Sequence, residues 1–337
     1  MVLAEFLDLW NDDKAPRMLV HTSGSTGKPK PLWVEKHRMA ASARATCQYL
    51  GLKAGNTALL CMPLDYIAGK MMVVRSLVAN LKLIVVEPDG HPLKDLETDI
   101  DFAAMVPLQV YNSLQVPAER ERLMRIKHLI IGGSAIDEAM ERELKAFPNA
   151  VWSTYGMTET LSHIALRRLN GQAASEWYMP LPGVEVSLND KGCLVINAPH
   201  VCEERLETND IATIKHLKKN CEEDALQCSD GQKVVFRILG RLDNVLVSGG
   251  IKIQIEEVER ALQPHLSMPY RIVKCQDEKF GEVVGLQFVP VSTENVEEET
   301  AVVRQICQKA LPKFWQPKAY FPVKEIERTA TGKIKRG

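Results

Sequence analysis

A signal peptide, an excess of one charge and paired cysteines are all missing from this sequence. The first residues, MVLAEFLDLW, have no basic head before an apolar run, and no later stretch is long and apolar enough to span a bilayer. The 42 basic and 43 acidic side chains nearly cancel, which disfavours nucleic acid or an anionic membrane as the main partner. None of the eight cysteines forms a CxxC pair, so no zinc site or disulfide framework is predicted. These absences favour a cytoplasmic protein with reduced thiols and no membrane insertion.

What is present is an ordinary globular composition in which short apolar runs alternate with helical patterns. Of the 337 residues, 45% are apolar and 25% are charged, enough for a large core and more than one domain. The predicted strands are Met18–His21, Ala58–Cys61, Leu83–Val86, Ala103–Val106, His128–Ile131 and Val151–Ser153. The predicted helices are Glu35–Leu50, Gly69–Asn80, Pro107–Leu114 and Asp137–Phe147. This alternation predicts an α/β fold whose sheets are largely parallel and flanked by helices.

The pattern changes twice in the second half of the chain. From Val184 to Ile238, short strands separated by turn residues predict a small antiparallel or barrel-like section. After Gly240 we expect a small α+β unit with a strand pair near Val245–Ile253, a helix near 256–263, two strands within 270–289 and a helix near 296–311. The predicted domains are residues 1–240, which would bind ATP and an acyl group, and residues 241–337, a mobile C-terminal domain.

The clearest chemical motif is a loop of small, hydroxyl and basic residues directly after the first predicted strand. It reads Thr22-Ser23-Gly24-Ser25-Thr26-Gly27-Lys28-Pro29-Lys30. Glycine lets the backbone N–H groups approach a phosphate closely, and the hydroxyls and lysines add donors and charge. The glycine spacing and the proline after Lys28 exclude a Walker A loop. A flexible polar surface loop is the other interpretation of such a segment taken alone.

Four further segments accompany this loop in a fixed order, and together they resemble the adenylate-forming superfamily of acyl-CoA synthetases, luciferases and adenylation domains. They are Ser153-Thr154-Tyr155-Gly156-Met157-Thr158-Glu159-Thr160, Thr208-Asn209-Asp210, GRLDNVLVSGGIKIQIEEVE from Gly240, and Thr329-Ala330-Thr331-Gly332-Lys333. Asn209 stands where that superfamily usually has glycine. The five ordered motifs extend from Thr22 to Lys333, so a chance match is disfavoured.

The resemblance implies ATP, Mg²⁺ and coenzyme A as cofactors and a role for each motif. Thr22 to Lys28 would hold the β- and γ-phosphates, Thr158 would contact the α-phosphate, and Glu159 would hold Mg²⁺. Gly132, Gly133, Ser134, Tyr155 and Gly156 would bind the adenine, Asp210 the ribose hydroxyls, and Arg241 the ribose or phosphate. Lys333 would act in adenylation, where two anions meet. Taken singly, Asp210 is also typical of a turn, Glu159 of a helix start and Lys333 of a mobile tail.

The same resemblance implies two steps. Asp243 would be the hinge about which the C-terminal domain turns, and Ser248-Gly249-Gly250 would line a tunnel for the pantetheine arm of coenzyme A. The partner would be a small carboxylic acid. The sequence leaves the oligomeric state open, a homo-oligomer included.

The acid is predicted from a narrower resemblance. Segments 105–109, 131–136, the GRLDN hinge and 314–317 resemble the o-succinylbenzoate–CoA ligases of menaquinone biosynthesis. Their substrate is an aromatic dicarboxylate, so its spare carboxylate needs a cation or donor. Lys70 and His163 are the candidates, and Tyr66 would gate the pocket. Lys70 could instead be a solvated lysine at a helix start, and His163 could make a structural hydrogen bond.

Departures from the superfamily leave alternatives open. Only 21 residues precede the phosphate loop, so we expect an N-terminal lobe that is shortened relative to the family. Ile255 stands where proline is common, and Asp65-Tyr66 where Phe-His is common. A ligase for another aryl or short acyl acid, and a degenerate nucleotide-binding module without catalysis, are the competing interpretations.

Overall fold

A computed structural model describes residues 1–21, 31–217, 233–292 and 295–327. The chain divides into two compact units. The first comprises Met1–Ser187, Val195–Leu206 and Ile214–Arg237, and the second Leu188–Leu194, Glu207–Thr213 and Ile238–Gly337. The predicted domain boundary between residues 240 and 241 stays a prediction. None of the helices in the described ranges is long and apolar enough to cross a membrane.

The helices and strands follow one another along the chain with the following bounds. The helices are α1 (Leu3–Asn11), α2 (Lys36–Leu50), α3 (Ile67–Ala79), α4 (Pro107–Gln115), α5 (Pro117–Arg125), α6 (Glu138–Leu144), α7 (Ile255–Leu262) and α8 (Val296–Ala310). The strands up to residue 180 are β1 (Arg17–His21), β2 (Pro31–Glu35), β3 (Thr57–Leu60), β4 (Lys82–Val85), β5 (Phe102–Met105), β6 (His128–Ile131), β7 (Ala150–Gly156), β8 (His163–Arg168) and β9 (Met179–Pro180). The later strands are β10 (Glu185–Leu188), β11 (Cys193–Asn197), β12 (Leu206–Leu217), β13 (Lys233–Arg241), β14 (Val245–Ser248), β15 (Ile251–Gln254), β16 (Tyr270–Asp277), β17 (Gly281–Phe288) and β18 (Ala319–Pro322).

A seven-stranded sheet of order β4-β3-β5-β6-β7-β8-β9 forms the frame of the first unit. Its first five strands are parallel, whereas β8 and β9 join antiparallel. All four residues of β5 are buried, as expected for a parallel strand with both faces covered. The predicted α/β fold is therefore confirmed, and its carboxyl-terminal edge gathers the loops that follow β3, β5, β6 and β7.

Local chemistry explains several boundaries of these elements. Gly51 caps the end of helix α2 and Asn80 the end of α3, both with the positive φ that closes a helix. Helix α4 begins at Pro107, the position where a missing N–H costs nothing. Each predicted strand and helix of the first unit is confirmed to within a few residues. Helices α1 and α5 and strands β2, β8 and β9 were not predicted.

The predicted barrel-like section is, in the part of the chain that the structure describes, an open four-stranded sheet. Its order is β10-β11-β12-β13, so no hydrogen-bonded closure joins its first and last strands there. The turn signal at residues 189–192 is confirmed, since Gly192 N donates to Asn189 O at 2.9 Å. The sequence left an antiparallel or a barrel-like section open, because turn residues specify reversals of the chain but not closure of a sheet.

The C-terminal stretch of the second unit packs its own sheet against two helices. The sheet has the order β15-β14-β17-β16, with β18 pairing parallel to β17. Its apolar core includes Ile253, Val258, Leu286 and Val303. The two strand pairs and both helices match the prediction, whereas β18 was not predicted.

Candidate active site

The carboxyl-terminal edge of the seven-stranded sheet brings two of the predicted motifs together. Met105 pairs with Ile131, and Ile131 with Ser153, across β5, β6 and β7. The segment Gly132–Ser134 leaves β6 at this edge, and the YGMTET segment leaves β7 beside it. In parallel sheets, ligands bind outside the carboxyl ends of the strands.

Two predicted groups fall outside the described residues. They are the loop Thr22–Lys28, with its Ser23, Gly24, Ser25, Thr26 and Gly27, and the terminal Lys333. The residues that flank the loop are described: His21 pairs with Pro31 in the antiparallel β1–β2 ladder. The roles expected of the loop and of Lys333 remain predictions.

Gly132 is required by a close approach within the protein. A Cβ on Gly132 would lie 2.2 Å from Oγ1 of Thr154, far inside van der Waals contact. Gly132 N also donates to Met105 O at 3.1 Å. The glycine therefore serves the packing between β6 and β7, and a role of Gly132, Gly133 and Ser134 against adenine stays a prediction.

Aromatic rings hold Tyr155 in place on β7. Its ring centroid lies 5.9 Å from that of Tyr178 and 5.2 Å from that of Phe236. The Tyr178 hydroxyl is 2.8 Å from Ser153 Oγ, and the Arg167 guanidinium lies over the Tyr178 ring. Such packing preorganises the Tyr155 ring, which stays half-buried.

The YGMTET turn buries its two threonines and exposes its one carboxylate. Thr160 is fully buried, and its Oγ1 accepts the Met157 N–H at 3.0 Å and donates to Ser162 O at 2.8 Å. Thr158 is buried, whereas Glu159 is exposed. Within the described ranges the Glu159 carboxylate makes no ion pair or hydrogen bond, and no group of three or more metal-ligating side chains occurs there. Glu159 is thus available as a single carboxylate.

Asp210 and Arg241, both predicted to hold the nucleotide, are paired within the second unit. Arg241 Nη1 lies 3.3 Å from Asp210 Oδ1, and Arg241 Nη2 lies 2.7 Å from Asp243 Oδ2. Asn209 Nδ2 lies 3.4 Å from each oxygen of Asp243. The predicted hinge aspartate therefore lies in a 3₁₀ turn (Leu242–Asn244) beside the predicted ribose-binding carboxylate.

The predicted coenzyme A segment is a tight hairpin turn. Ser248 pairs with Ile251 across β14 and β15, so Gly249 and Gly250 form a two-residue turn, with φ of 55° and 85°. Positive φ at both central positions favours glycine. Gly249 N donates to Phe280 O at 2.9 Å. The turn accounts for both glycines, and their contact with coenzyme A remains a prediction.

Two of the three predicted acyl-site residues lie at the start of α3. Tyr66 precedes the helix and is 43% exposed, whereas Lys70 in the first turn is only 2% exposed. Lys70 Nζ lies 3.5 Å from Asp65 O. Burial lowers the pKa of the Lys70 ammonium. The alternative of a solvated lysine is wrong, because the side chain lies inside the protein.

The third residue, His163, is buried, and both of its ring nitrogens have protein partners. His163 Nε2 is 3.0 Å from Thr46 Oγ1, and Nδ1 is 3.3 Å from Ser162 Oγ. The alternative of a structural hydrogen bond is therefore present, and contact of His163 with a substrate stays untested.

Arg75 is the residue that sequence reasoning missed. It lies in α3, is 2% exposed, and has no carboxylate partner in the described part of the chain. Its Nη2 donates to Ser162 Oγ, whereas its buried Nε has no hydrogen-bond partner. Burial lowers the pKa of the guanidinium to about 10, so it stays charged at neutral pH. The sequence did carry a signal: a lone arginine in the apolar run MMVVRSLVA.

Two segments used to predict the acid have structural roles. Gln109 is buried, and its Nε2 donates to Cys61 O at 3.0 Å and to Asp89 O at 2.9 Å, joining the loops after β3 and β4 to α4. Gln316 Nε2 donates to Gln308 O and Leu311 O, both at 3.1 Å, at the end of α8.

Comparison with known sequences matches one family. The model of the AMP-binding enzymes covers residues 6–200, more than half of the chain. The 2-succinylbenzoate–CoA ligase of Escherichia coli K12 is 26% identical over 88% of this chain. The ligase of the same name from Salmonella typhimurium is 27% identical over 82% of this chain. The chain spans 62% and 59% of the lengths of these two enzymes.

Comparison with solved structures gives matches over nearly the whole chain. An AMP-forming acyl-CoA synthetase/AMP-acid ligase II-like protein from Dyadobacter fermentans is 32% identical with a TM-score of 0.63, over 98% of this chain and 90% of that one. The o-succinylbenzoate coenzyme A synthetase of Bacillus subtilis, solved with ATP and magnesium, has a TM-score of 0.71 over 94% of this chain and 68% of that one. At 21% identity the second likeness shows the fold alone.

Proposed function

We propose that this chain, which belongs to the AMP-binding enzymes, is an AMP-forming acid–CoA ligase whose acid is an aromatic dicarboxylate of the o-succinylbenzoate type. In the first step a carboxylate oxygen attacks the α-phosphate of ATP, giving acyl-AMP and pyrophosphate. In the second step the coenzyme A thiol, losing its proton, displaces AMP and forms the thioester. The curated relatives named above support the proposal, because both are 2-succinylbenzoate–CoA ligases.

The chain's own residues fit the nucleotide and Mg²⁺. Mg²⁺ is commonly held by one or two carboxylates together with substrate phosphates, and Glu159 offers one exposed carboxylate at the strand edge. Mg²⁺ there supplies charge neutralisation on the phosphates. Tyr155 offers a fixed aromatic ring for adenine, and Thr158 a hydroxyl in the same turn. Asp210 and Arg241 offer an acceptor and a donor for the ribose.

The remaining proposed roles rest on the motifs. Thr22 to Lys28 hold the two outer phosphates, and Lys333 steadies the attacking carboxylate and the α-phosphate. Asp243 is the hinge about which the C-terminal domain turns between the two steps. Ser248, Gly249 and Gly250 line the tunnel for the pantetheine arm.

Arg75 is the observation that carries the substrate class. Burying a charge without a partner is costly, and proteins normally pair buried guanidinium groups with carboxylates. Arg75 has a hydroxyl and a thioether as neighbours and an unpaired Nε–H. A second carboxylate on the substrate would supply the missing partner. Lys70, also buried on α3, is the other cation available.

A pyrophosphate-release assay over a panel of acids tests the function. We expect o-succinylbenzoate to support release, with benzoate and medium-chain fatty acids much poorer, since a monoacid leaves the cation unpaired. Preference for another acid would refute the proposed substrate and leave only the assignment as an acid–CoA ligase. Nucleotide binding without release for any acid would instead identify a degenerate module.

A matched pair of variants identifies the anchoring cation. Arg75→Met and Lys70→Met each keep an apolar stem of similar length and remove the charge. We expect Arg75→Met to raise the KM for o-succinylbenzoate about tenfold or more, and to narrow its advantage over benzoate. If Arg75→Met leaves the selectivity unchanged and Lys70→Met lowers it, Lys70 is the cation that binds the second carboxylate. If neither variant changes the selectivity, the dicarboxylate proposal is refuted.

A further inference from the structure

A chain of buried and partly buried hydrogen bonds leads away from Arg75 and joins three elements of the first unit. Arg75 Nη2 on α3 donates to Ser162 Oγ. Ser162 Oγ lies 3.3 Å from His163 Nδ1 on β8, and His163 Nε2 lies 3.0 Å from Thr46 Oγ1 on α2. Thr46 in turn donates to Ser42 O at 3.2 Å. Thr46 is fully buried, and Arg75 and His163 nearly so.

The direction of each bond in this chain is determined by its two ends. Ser42 O can only accept, so we assign the single hydroxyl hydrogen of Thr46 to it, and with this assignment Thr46 Oγ1 accepts from His163 Nε2–H. At the other end the guanidinium can only donate, so Ser162 Oγ accepts from Arg75. The Ser162 hydrogen then points to His163 Nδ1, provided that this nitrogen is unprotonated.

His163 is neutral for two physical reasons. Burial lowers the pKa of His163 well below its usual range, and the nearby Arg75 cation lowers it further. A second buried cation beside Arg75 would also have no carboxylate within the described residues. With the Thr46 hydrogen assigned to Ser42 O, the neutral imidazole carries its one hydrogen on Nε2, which leaves Nδ1 as an acceptor.

We propose that Thr46 and His163 are positioning residues that fix the Ser162 hydroxyl as an acceptor for Arg75, and so hold the guanidinium for the second carboxylate of the acid. This inference rests on the proposed function. With its hydrogen committed to His163, Ser162 presents only a lone pair on its open side, which leaves recognition of an anion to Arg75. If the tautomer of His163 were reversed, Nδ1–H would donate to Ser162 Oγ and occupy one of its two lone pairs. The hydroxyl hydrogen of Ser162 would then be free to rotate, and the oxygen would no longer be held in one orientation as the acceptor for Arg75.

Substitution of Thr46, two hydrogen bonds away from Arg75, tests the proposal with a conservative partner. Thr46→Val keeps the branched shape and removes the acceptor for His163, whereas Thr46→Ser keeps the acceptor. We expect Thr46→Val to raise the KM for o-succinylbenzoate about tenfold, the effect of one hydrogen bond, with the KM for ATP and the rate with benzoate unchanged. Thr46→Ser should behave as wild type.

Ser76→Ala is the control for a simple loss of stability. Ser76 follows Arg75 on α3 and also makes a buried hydrogen bond to a helix carbonyl, Met72 O, at 3.0 Å. Its loss should lower the unfolding temperature about as much as Thr46→Val does, without changing the KM for the dicarboxylate. Equal effects of both variants on that KM would overturn the positioning role.

A spectroscopic measurement decides the tautomer without reference to activity. In two-bond ¹H–¹⁵N spectra of the whole protein, the His163 signals are assigned by their disappearance in His163→Gln. We expect the neutral Nε2–H form in wild type and in Thr46→Ser, and a shift towards Nδ1–H in Thr46→Val. An imidazolium or an Nδ1–H form in wild type at neutral pH would overturn the proposal.

The two measurements separate this proposal from the proposed function. Failure of every acid in the pyrophosphate assay refutes the ligase assignment, and the positioning role with it, whatever the tautomer. An active dicarboxylate ligase in which Thr46→Val shifts the tautomer and leaves the KM unchanged refutes the positioning role alone.

Discussion

At the residue scale, His163 links the candidate site to the stability of the fold. Its pKa is lowered in the folded state, so between about pH 6.5 and that lower pKa the unfolded chain binds more protons than the folded one. The stability that His163 contributes is complete above about pH 6.5 and is lost as the pH falls below it, by up to about 1.4 kcal/mol per pH unit.

This linkage predicts the behaviour of His163→Gln. Urea unfolding should give a larger free-energy difference between wild type and variant at pH 7.5 than at pH 5.5. The pKa values of His128 and His200 are also lowered by burial. Both residues are present in wild type and variant, so their contributions to the free energy of unfolding cancel in the difference. A difference independent of pH would mean that His163 is as basic in the folded as in the unfolded state.

Lys333 is a residue whose role is predicted from its motif alone. Lys333→Ala should abolish adenylation and largely spare thioester formation from supplied acyl-AMP, because the cation is needed where two anions meet. A cation at a developing negative charge is worth roughly a hundredfold or more in rate. The two half-reactions are measured separately, with Lys335→Ala as the neighbouring control. Equal loss in both half-reactions would rule the role out.

At the scale of elements, the 3₁₀ turn at Leu242–Asn244 is where the predicted hinge can be tested. Proline at position 243 restricts φ to about −65° and also disfavours a helical conformation at Leu242. Asp243→Pro should therefore lower thioester formation about tenfold or more while adenylation survives.

A second substitution at the same position separates backbone restriction from lost contacts. Asp243→Ala removes the same contacts to Arg241 and Asn209 but leaves the backbone free, so it should stay near wild type in both half-reactions. Thioester formation that is equally low in both variants would assign the effect to the ion pair instead of the hinge.

At the scale of the whole molecule, nucleotide binding should stabilise the fold by mass action. A ligand at a hundred times its dissociation constant adds about 2.7 kcal/mol to the free energy of unfolding. We expect ATP with Mg²⁺ to raise the unfolding temperature, and ATP with EDTA to raise it less. In Glu159→Gln the difference between the two conditions should shrink, with Glu138→Gln, an exposed glutamate of α6, as control. A difference that Glu159→Gln leaves intact would place Mg²⁺ on other groups.

The sequence by itself determined most of the elements and the family. Alternation of apolar runs, glycine and proline at helix ends, and the two-glycine turn after Ser248 are local signals, so their structural consequences are local too. The α/β class followed from them. Helices α1 and α5 were missed although each carries a local signal: apolar residues recur at helical spacing in α1 (Leu3, Phe6, Leu7 and Trp10), and α5 begins with a proline, Pro117.

Only the tertiary structure decided which polar residues are buried and what they contact. Lys70 and Arg75 are charged residues on one helix, and although the apolar run around Arg75 is typical of an enclosed position, no local signal shows which groups either cation contacts. Their burial comes from packing against distant parts of the chain, as when Thr46 meets His163, 117 positions later. The same packing buries Arg75 and decides which partners the two nitrogens of His163 meet, because in a desolvated interior each donor must find its acceptor among the neighbours that the fold provides.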